Sequence, residues 1–296
     1  MDYISVQAWA ETHGVSARTA RNYCAQGNID GAYLVGKTWN IPAGAGLPER
    51  KRKVTVSPLL QALREQQASR LKGGIYHRVQ VDLTYNSNHI EGSRLTHDQT
   101  RYIFETNTVV LSDQAVNVDD IIETTNHFRA IDHIITHTGE RLTEAYIKQL
   151  HRILKSGTSD ERKEWFRVGD YKKLPNEVGG HDTALQENVH REMKSLLQAY
   201  HAKKRPSLED IIDFHYRFEA IHPFQDGNGR VGRLIMFREC LRWDYVPFVI
   251  TDELKMFYYR GLQNWPRIKG YLMDTCLTAQ DQFKTLLDKF RIKYTS

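Results

Sequence analysis

The sequence predicts an all-α fold: a bundle of helices with one small β-hairpin, preceded by a small N-terminal domain. From residue 57 onward, apolar side chains recur every three or four residues, which is the spacing of amphipathic helices. This rhythm breaks between residues 168 and 184, where Gly179 and Gly180 favour a tight turn between two short strands. Three of the helices are expected to begin at polar residues, namely Asn117, Thr143 and Ser207.

The N-terminal domain is predicted over residues 1–43. A short helix with an apolar face, a turn at Gly14 and a second helix from Ala17 to Gln26 precede a hairpin over residues 32–41. This order resembles a winged helix-turn-helix of the excisionase type, and the resemblance implies that the second helix meets DNA. The side chains expected to face DNA are Arg18, Thr19, Arg21 and Asn22. A small helical module used for protein contact is the alternative.

Two further segments complete the predicted organisation. Residues 44–56 combine Gly and Pro with a run of basic side chains, which predicts a solvated linker. Residues 57–296 form the main helical domain, with one helix at about 75–92 and a core at about 115–250.

Composition and charge exclude several classes of protein. The chain has no run of 18 apolar residues, its start lacks the pattern of a signal peptide, and its three cysteines form no C-x-x-C pair. We therefore predict a cytoplasmic protein with reduced thiols and no membrane contact. The net charge of +5 permits an anionic partner but does not require one.

One short pattern imitates a nucleotide-binding loop. Residues 31–38 fit the phosphate-loop pattern G-x-x-x-x-G-K-[ST], which requires a strand before it and a helix after it. Here the intervening residues are themselves strand-like, and Ile41-Pro42 follows where a helix should begin. We interpret the segment as the hairpin of the N-terminal domain.

The chemistry concentrates in residues 222–233. His222 ends an apolar helix, and the turn at residues 227–229 precedes a new one, so free backbone N–H groups at that helix start can bind phosphate. Arg230 and Arg233 are three residues apart in the first turn and can clamp a polyanion, while Asp226 is placed to hold Mg²⁺. An imidazole, a carboxylate, an anion cradle and two guanidinium groups predict a phosphoryl- or nucleotidyl-transfer site.

This stretch resembles the signature of the Fic (Fido-domain) family, H-x-F-x-[DE]-G-N-G-R-x-x-R. Every fixed position is met, by His222, Phe224, Asp226, Gly227, Asn228, Gly229, Arg230 and Arg233. The resemblance implies a Fic-type helical bundle with a small β-hairpin flap over most of the chain. It also implies an enzyme that transfers AMP from ATP to a Tyr, Thr or Ser hydroxyl of a target protein and releases pyrophosphate.

The resemblance further implies a role for each residue. His222 would be the general base, Asp226 would hold Mg²⁺ between the α- and β-phosphates, and Phe224 would anchor the loop. The anion hole would consist of Gly227, Asn228 and Gly229, and the outer phosphates would be held by Arg230 and Arg233. The flap would contact ATP through Val178, Gly179, Gly180 and His181. The adenine side would be lined by Tyr258, Tyr259 and Asn264, although ordinary helix packing explains the tyrosines equally well.

An upstream motif predicts self-inhibition. Residues 87–92 match [ST]-x-x-x-E-[GN], the inhibitory motif of Fic proteins, and Ser87 and Glu91 share one face of a helix. The resemblance implies that Glu91 binds Arg233 and displaces the γ-phosphate of ATP.

Other functions remain open at this stage. The same residues could remove AMP from a modified protein, with Glu91 aligning a water molecule. The chain could instead be a DNA-binding regulator that senses nucleotide. The predicted partners are a target protein of unknown identity, DNA through residues 1–43, and a second copy of the chain in a homodimer.

Overall fold

The structure is a computed structural model that describes residues 2–48, 56–110, 115–178 and 181–294, with the backbone alone described for Val178, His181 and Asp182. The chain divides into two compact units, Met1–Thr55 and Val56–Ser296. Most of the basic run of the predicted linker, residues 49–55, lies outside the described residues. None of the helices in the described ranges combines the length and apolar character needed to cross a bilayer.

The N-terminal unit contains two helices and a three-stranded antiparallel sheet. Its elements are β1 (Tyr3–Ser5), α1 (Val6–Thr12), α2 (Ala17–Ala25), β2 (Tyr33–Val35) and β3 (Thr38–Pro42). Strand β3 lies in the middle of the sheet, between β1 and β2. Trp9 and Ile41 are fully buried in its small core, and the Ser16 hydroxyl caps α2 by accepting from the Thr19 N–H.

This unit bears out the predicted helix, turn, helix and hairpin and adds β1. A three-residue strand is too short to show a periodicity, which is why the sequence did not reveal it. The segment that imitates a phosphate loop is the β2–β3 hairpin, with Gly36 in the left-handed turn, so its interpretation as a hairpin is confirmed. The interpretation as a DNA-binding module stays a prediction.

The second unit is a helical bundle with one two-stranded hairpin. Its helices are α3 (Pro58–Ser69), α4 (Ile75–Ile90), α5 (His97–Thr106), α6 (Val118–Thr136), α7 (Glu144–Lys155), α8 (Gln186–His201), α9 (Leu208–Ile221), α10 (Asn228–Trp243), α11 (Lys255–Asn264) and α12 (Gly270–Lys289). The hairpin pairs β4 (Glu177–Val178) with β5 (His181–Asp182). The all-α fold with a small hairpin is therefore confirmed.

Helix α10 is the central helix of the bundle. It packs against α4, α6, α7 and α9, and nearly all of its residues are buried. Because it is enclosed on every side, polar residues in it must find partners inside the protein. Its N-terminus and the loop that precedes it are thereby fixed in a rigid surrounding.

The predicted helix starts are confirmed. Asn117, Thr143 and Ser207 cap α6, α7 and α9 through their side chains. Leu71 is half-exposed because α3 ends before it, at Ser69. Val118 is exposed because it occupies the first position of α6.

Candidate active site

The loop between α9 and α10 begins with a strained histidine. His222 terminates α9 with φ 50° and ψ 62°, in the left-handed region, while its N–H donates to the Phe218 carbonyl oxygen at 2.9 Å. A non-glycine residue in this region costs on the order of 1 kcal/mol or more, so the surrounding structure must hold it there. Such strain is typical of functional loops.

Phe224 holds the loop in the core, as the family resemblance implied. Its ring is fully buried and stacks on the His151 ring with centroids 4.0 Å apart. His151 accepts from the Gly169 N–H at 2.9 Å and donates through Nε2 to the Asp226 carbonyl oxygen at 3.1 Å. Burial lowers the pKa of His151 to about 3, so the ring is neutral. Sequence reasoning missed this residue, whose only signal was a histidine on the apolar face of α7.

Asn228 stabilises the loop from within. Its amide Oδ1 accepts from the Phe224 N–H and its Nδ2 donates to the Phe224 carbonyl oxygen, both at 2.8 Å, and the residue is 1% exposed. The side chain therefore cannot face a ligand, and only its backbone N–H remains for the predicted anion hole. Gly227 caps α10 with φ 81°, a conformation that glycine adopts without strain.

The predicted inhibitory motif, residues 87–92, contacts Arg233 in α10. This contact lies next to the loop between α9 and α10, which we call the catalytic loop. The Arg233 guanidinium donates to Ser87 Oγ at 3.0 Å, to the Ser87 carbonyl oxygen at 2.9 Å and to Glu91 Oε1 at 2.6 Å. Burial opposes ionisation of Glu91, but the charges of Arg233 and Arg230 outweigh it and lower the Glu91 pKa. The predicted contact between Glu91 and Arg233 is confirmed, and its inhibitory effect stays a prediction.

Gly229 brings the Glu91 carboxylate to the start of α10. A Cβ atom added at Gly229 would collide with Glu91 Oε1 and would lie 2.9 Å from Arg233 Nη1. The carboxylate thus lies directly against the first turn of α10, where free N–H groups favour an anion. Glu91 occupies the place that the sequence assigned to phosphate.

Behind the loop lies a buried charge cluster that the sequence did not reveal. Lys155 is 2% exposed, and its Nζ lies 2.5 to 2.7 Å from carboxylate oxygens of Glu123, Asp160 and Asp226. Burial disfavours the ammonium, but Asp226 and Glu123 more than compensate and raise the pKa of Lys155. Arg230 joins the cluster through Glu123 and through Asp226, the latter at 3.0 Å.

The cluster decides which residue can bind a divalent metal ion. Oxygen atoms of Glu123, Asp160 and Asp226 lie within 4.8 Å of one another, but the Lys155 ammonium contacts all three side chains and would compete with a metal ion for their oxygen atoms. Asp226 differs because its side chain is 49% exposed and its contacts with Lys155 and Arg230 both use Oδ2. Asp226 Oδ1 therefore fits Mg²⁺, which often takes one protein carboxylate together with phosphate and water oxygens.

The His222 imidazole is neutral. Burial and the nearby Lys172 ammonium lower the pKa of His222 to about 4, so the ring can accept a proton at neutral pH. Lys172 is itself buried and donates to Asn176 Oδ1 at 2.6 Å and to Thr183 Oγ1 at 2.7 Å. Burial lowers the pKa of Lys172 to about 8. No pattern in the sequence indicated that the Lys172 ammonium acts on His222.

The segment before the hairpin is bound to the loop. The Lys172 N–H donates to the Pro223 carbonyl oxygen at 2.9 Å, and Asn176 Nδ2 donates to the Phe224 carbonyl oxygen at 3.0 Å. These bonds tie the base of the hairpin to the two residues that follow His222. The backbone of Val178 pairs with that of His181, whereas Gly179 and Gly180 lie outside the described residues, so their predicted contacts with ATP stay predictions.

Comparison with known proteins agrees with this geometry. Residues 141–240 match the Fic/DOC family. The chain carries a Fic domain. The protein adenylyltransferase Fic of Nematostella vectensis is 26% identical over 182 residues, which cover 60% of this chain and 41% of the relative. The protein of the same name in Drosophila persimilis is 30% identical over 187 residues, which cover 60% of this chain and 35% of the relative.

Solved structures establish the fold of the domain. A Fic domain containing signaling protein from Bacteroides thetaiotaomicron superposes with a TM-score of 0.64 at 24% identity, covering 80% of this chain and all but 1% of its own length (99%). Fic-1 from C. elegans gives 0.61 at 18% identity, covering 79% of this chain and 72% of that chain. The matched part spans less than half the length of the curated relatives named above.

The three residues predicted on the adenine side of the Fic domain have different surroundings. Tyr258 is 1% exposed and its hydroxyl bonds to His215 Nε2 at 2.6 Å, which favours the packing interpretation, and its contact with a nucleotide stays a prediction. The Tyr259 hydroxyl donates to the Ile90 carbonyl oxygen at 3.3 Å, next to Glu91. Asn264 Nδ2 donates to the Arg260 carbonyl oxygen within α11. Contact of Tyr259 or Asn264 with adenine stays a prediction.

The residues predicted to face DNA lie in the other unit, outside the Fic domain. Arg18, Arg21 and Asn22 are exposed on α2. Thr19 is half-buried, and its hydroxyl pairs with Ser16 Oγ at 2.9 Å at the start of the helix. Thr19 therefore helps to begin α2, and three side chains remain open to a partner.

Proposed function

We propose that this chain transfers AMP from ATP to a Tyr, Thr or Ser hydroxyl of a target protein and that Glu91 restrains the reaction. One observation carries the proposal. The Glu91 carboxylate lies at the N-terminus of α10, against Gly229 and on Arg233, which is a site built for an anion. A triphosphate also carries negative charge and can accept hydrogen bonds from the same donors.

The proposed chemistry follows from the neutral imidazole of His222. The target oxygen forms a bond to the α-phosphorus, the bond from that phosphorus to the bridging oxygen of the β-phosphate breaks, and pyrophosphate leaves. The hydroxyl proton passes to His222 Nε2. Arg233 and the first-turn N–H groups of α10 hold phosphate oxygens. Asp226 would bind Mg²⁺, which would offset the charge of the leaving pyrophosphate.

Restraint by Glu91 follows from competition for Arg233. A hydrogen bond between charged groups contributes about 1.5 to 3 kcal/mol, which corresponds to a factor of about ten to a hundred in occupancy. Because Glu91 is part of the same chain, it competes with ATP at every ATP concentration. We therefore expect low activity in the wild-type protein.

Labelled ATP tests both parts of the proposal. Glu91→Gly should increase the incorporation of α-phosphate label into protein about ten-fold or more, because Arg233 becomes available. Adding His222→Ala to that variant should abolish the incorporation. Equal labelling by the single and double variants would remove His222 as the base, and unchanged labelling by Glu91→Gly would remove the restraint.

Removal of AMP from a modified protein is the second candidate. The hydrogen bond to Arg233 uses Oε1 of Glu91, which is 30% exposed, so Oε2 could align a water molecule. Mass spectrometry of an AMP-modified target, incubated without ATP, separates the two directions. Loss of the 329 Da adduct with wild-type protein but not with Glu91→Gly would favour removal (about 329 Da being the mass that one AMP group adds).

DNA binding is proposed for the N-terminal unit on the strength of the exposed α2 face. Arg18, Arg21 and Asn22 project from a short helix that follows a turn, which suits the major groove. A gel-shift assay with random-sequence duplex DNA at low salt tests the proposal, with Arg18→Ala and Arg21→Ala expected to weaken binding and the exposed Gln7→Ala on α1 as the control. A nucleotide-sensing regulator would bind DNA and leave target proteins unlabelled.

A further inference from the structure

Three unpartnered polar atoms meet in the core beneath the catalytic loop. Among the described residues, Glu219 Oε1, His215 Nδ1 and His222 Nδ1 are buried without a hydrogen-bond partner. Glu219 Oε1 lies 3.9 Å from His215 Nδ1, and Glu219 Oε2 lies 3.9 Å from His222 Nδ1. Each unpaired buried group costs about 1 to 3 kcal/mol, so three in one place require an explanation.

The cluster is built into the fold. The three side chains belong to one face of α9 and its cap, at spacings of four and three residues. Gly232 of α10 makes room for them, since a Cβ there would lie 2.6 Å from Glu219 Oε1 and 2.8 Å from His215 Nδ1. Any larger residue at this position would displace the carboxyl group from beneath His222.

The cluster continues to the anion site. The Tyr258 hydroxyl bonds to His215 Nε2 at 2.6 Å. The positive charge of Arg233 acts on the same hydroxyl and opposes the rise in its pKa that burial causes. A line of polar groups thus runs from Arg233 through Tyr258, His215 and Glu219 to His222. Its two ends are the phosphate-binding guanidinium and the base.

The charge states limit how these groups can pair. Burial raises the pKa of Glu219 to about 8, with Arg233 lowering it and Glu91 raising it, so the group is a neutral carboxylic acid at pH 7. Burial and Arg233 lower the pKa of His215 to about 3, so that ring is neutral too. Among these three side chains two complete pairings are possible, and they differ in the tautomer of His222.

Only one pairing leaves a base. If the Glu219 O–H donates to His215 Nδ1, then its second oxygen accepts the Nδ1–H of His222, and Nε2 of His222 keeps its lone pair. In the reverse pairing the Glu219 O–H donates to His222 Nδ1, and Nε2 carries the proton and cannot accept one. A side-chain shift of about 1 Å shortens the distances of 3.9 Å to hydrogen bonds.

We propose that Glu219 is a positioning residue whose carboxyl oxygen accepts the Nδ1–H of His222 and so keeps Nε2 free, with His215 and Tyr258 orienting the carboxyl group. The expected effect of Glu219 on turnover rests on the proposed function. The expected tautomer of His222 does not, because it is a property of the folded protein alone.

Nitrogen-15 NMR of histidine-labelled Glu91→Gly protein tests the proposal, with the His222→Ala protein assigning the signals. We expect His222 to show the Nδ1–H tautomer in this parent and in Glu219→Gln, whose amide oxygen can accept the same hydrogen bond. Glu219→Leu should shift His222 toward the Nε2–H form. The control is Glu209→Leu at the exposed start of α9, which should leave the tautomer unchanged because Glu209 pairs with Lys269 at the surface.

Kinetics supply the second measurement. Glu219→Leu should lower kcat for AMP transfer about ten-fold or more while the KM for ATP changes less than about two-fold, and Glu219→Gln should recover most of the loss. An Nε2–H tautomer in the parent, or an unchanged tautomer and kcat in a folded Glu219→Leu protein, overturns the proposal. Should Glu219→Leu not fold, the parent tautomer alone decides. Absence of AMP transfer from every variant, with the expected tautomers, would refute the proposed function and leave the positioning role standing.

Discussion

At the scale of single residues, the site depends on which cation each carboxylate binds. Lys155 and Arg230 hold Asp226 and Glu123, while Arg233 holds Glu91. Pairs of this kind, buried and in contact, are costly to break because removing one partner leaves an uncompensated charge. The Glu91 pair differs from the buried pair of Glu123 with Arg230, because the Glu91 side chain is 30% exposed and can turn to solvent without leaving its own charge in the core.

Ser87 contributes to this restraint. The Arg233 Nε–H donates to its hydroxyl at 3.0 Å, which orients the guanidinium toward Glu91. Ser87→Ala should increase AMP labelling several-fold, less than Glu91→Gly does, because the Ser87 carbonyl oxygen and Glu91 still bind Arg233. The exposed Ser69→Ala at the end of α3 is the control. Labelling that falls in Ser87→Ala would mean that the hydroxyl serves activity rather than restraint.

Lys172 sets the pH range of the base. Its ammonium is, after burial, the main cause of the lowered pKa of His222. Lys172→Met should therefore raise the pKa of His222, and the lower pH limit of AMP transfer should move up toward neutral pH, since a protonated imidazole cannot act as a base. The pH profile of the Glu91→Gly protein measures this, with the exposed neighbour Lys173→Met as the matched control. An unmoved limit in Lys172→Met would separate this lysine from the base.

At the scale of elements, the hairpin β4–β5 depends on the catalytic loop for its position. Two strands of two residues each cannot hold a fixed place by their own ladder, so the bonds from Lys172 and Asn176 to the loop carbonyls must do so. These bonds explain how the hairpin could change position when a ligand binds at the catalytic loop.

Asn176 offers a direct test of that tie. Asn176→Ala removes the bond to the Phe224 carbonyl oxygen and an acceptor of Lys172. Hydrogen exchange of backbone amides over residues 172–178 should become at least about ten-fold faster, and the KM for the target should rise. Glu177→Ala, an exposed neighbour, should change neither. Exchange as slow as in the wild type would show that other contacts fix the hairpin.

At the scale of the whole molecule, buried neutral histidines govern acid stability. Burial lowers the pKa to about 3 in His127, His151 and His215, and burial with Lys172 lowers it to about 4 in His222. The unfolded chain takes up protons on these rings below about pH 6.5, whereas the folded protein does so only near pH 3 to 4. The contribution of these histidines to the free energy of unfolding is therefore fully present above about pH 6.5 and is lost as the pH falls toward 3 to 4.

The free energy of unfolding is expected to depend steeply on pH. Each such histidine contributes up to about 1.4 kcal/mol per pH unit to the loss of unfolding free energy. Urea unfolding between pH 7 and pH 5 should show a steadily falling midpoint, and His127→Gln should reduce the slope. His190→Gln is the control, since that side chain is 70% exposed. A midpoint independent of pH in this range would contradict the neutral buried rings.

The sequence by itself determined the local features of this protein. Helix periodicity, the caps Asn117, Thr143 and Ser207, the glycine turn and the twelve residues from 222 to 233 depend on neighbours along the chain, and such neighbours can be read in order. The pairing of Glu91 with Arg233 was also predicted, through a family resemblance rather than through any local signal.

Tertiary structure alone decided which charges meet. Lys155 beside Asp226, Lys172 beside His222 and Tyr258 beneath Arg233 join residues far apart in the sequence. No periodicity encodes such contacts, because a buried lysine or tyrosine looks like any other until the helices pack. The pKa of the base depends on those contacts, since burial and a neighbouring charge are properties of the folded chain.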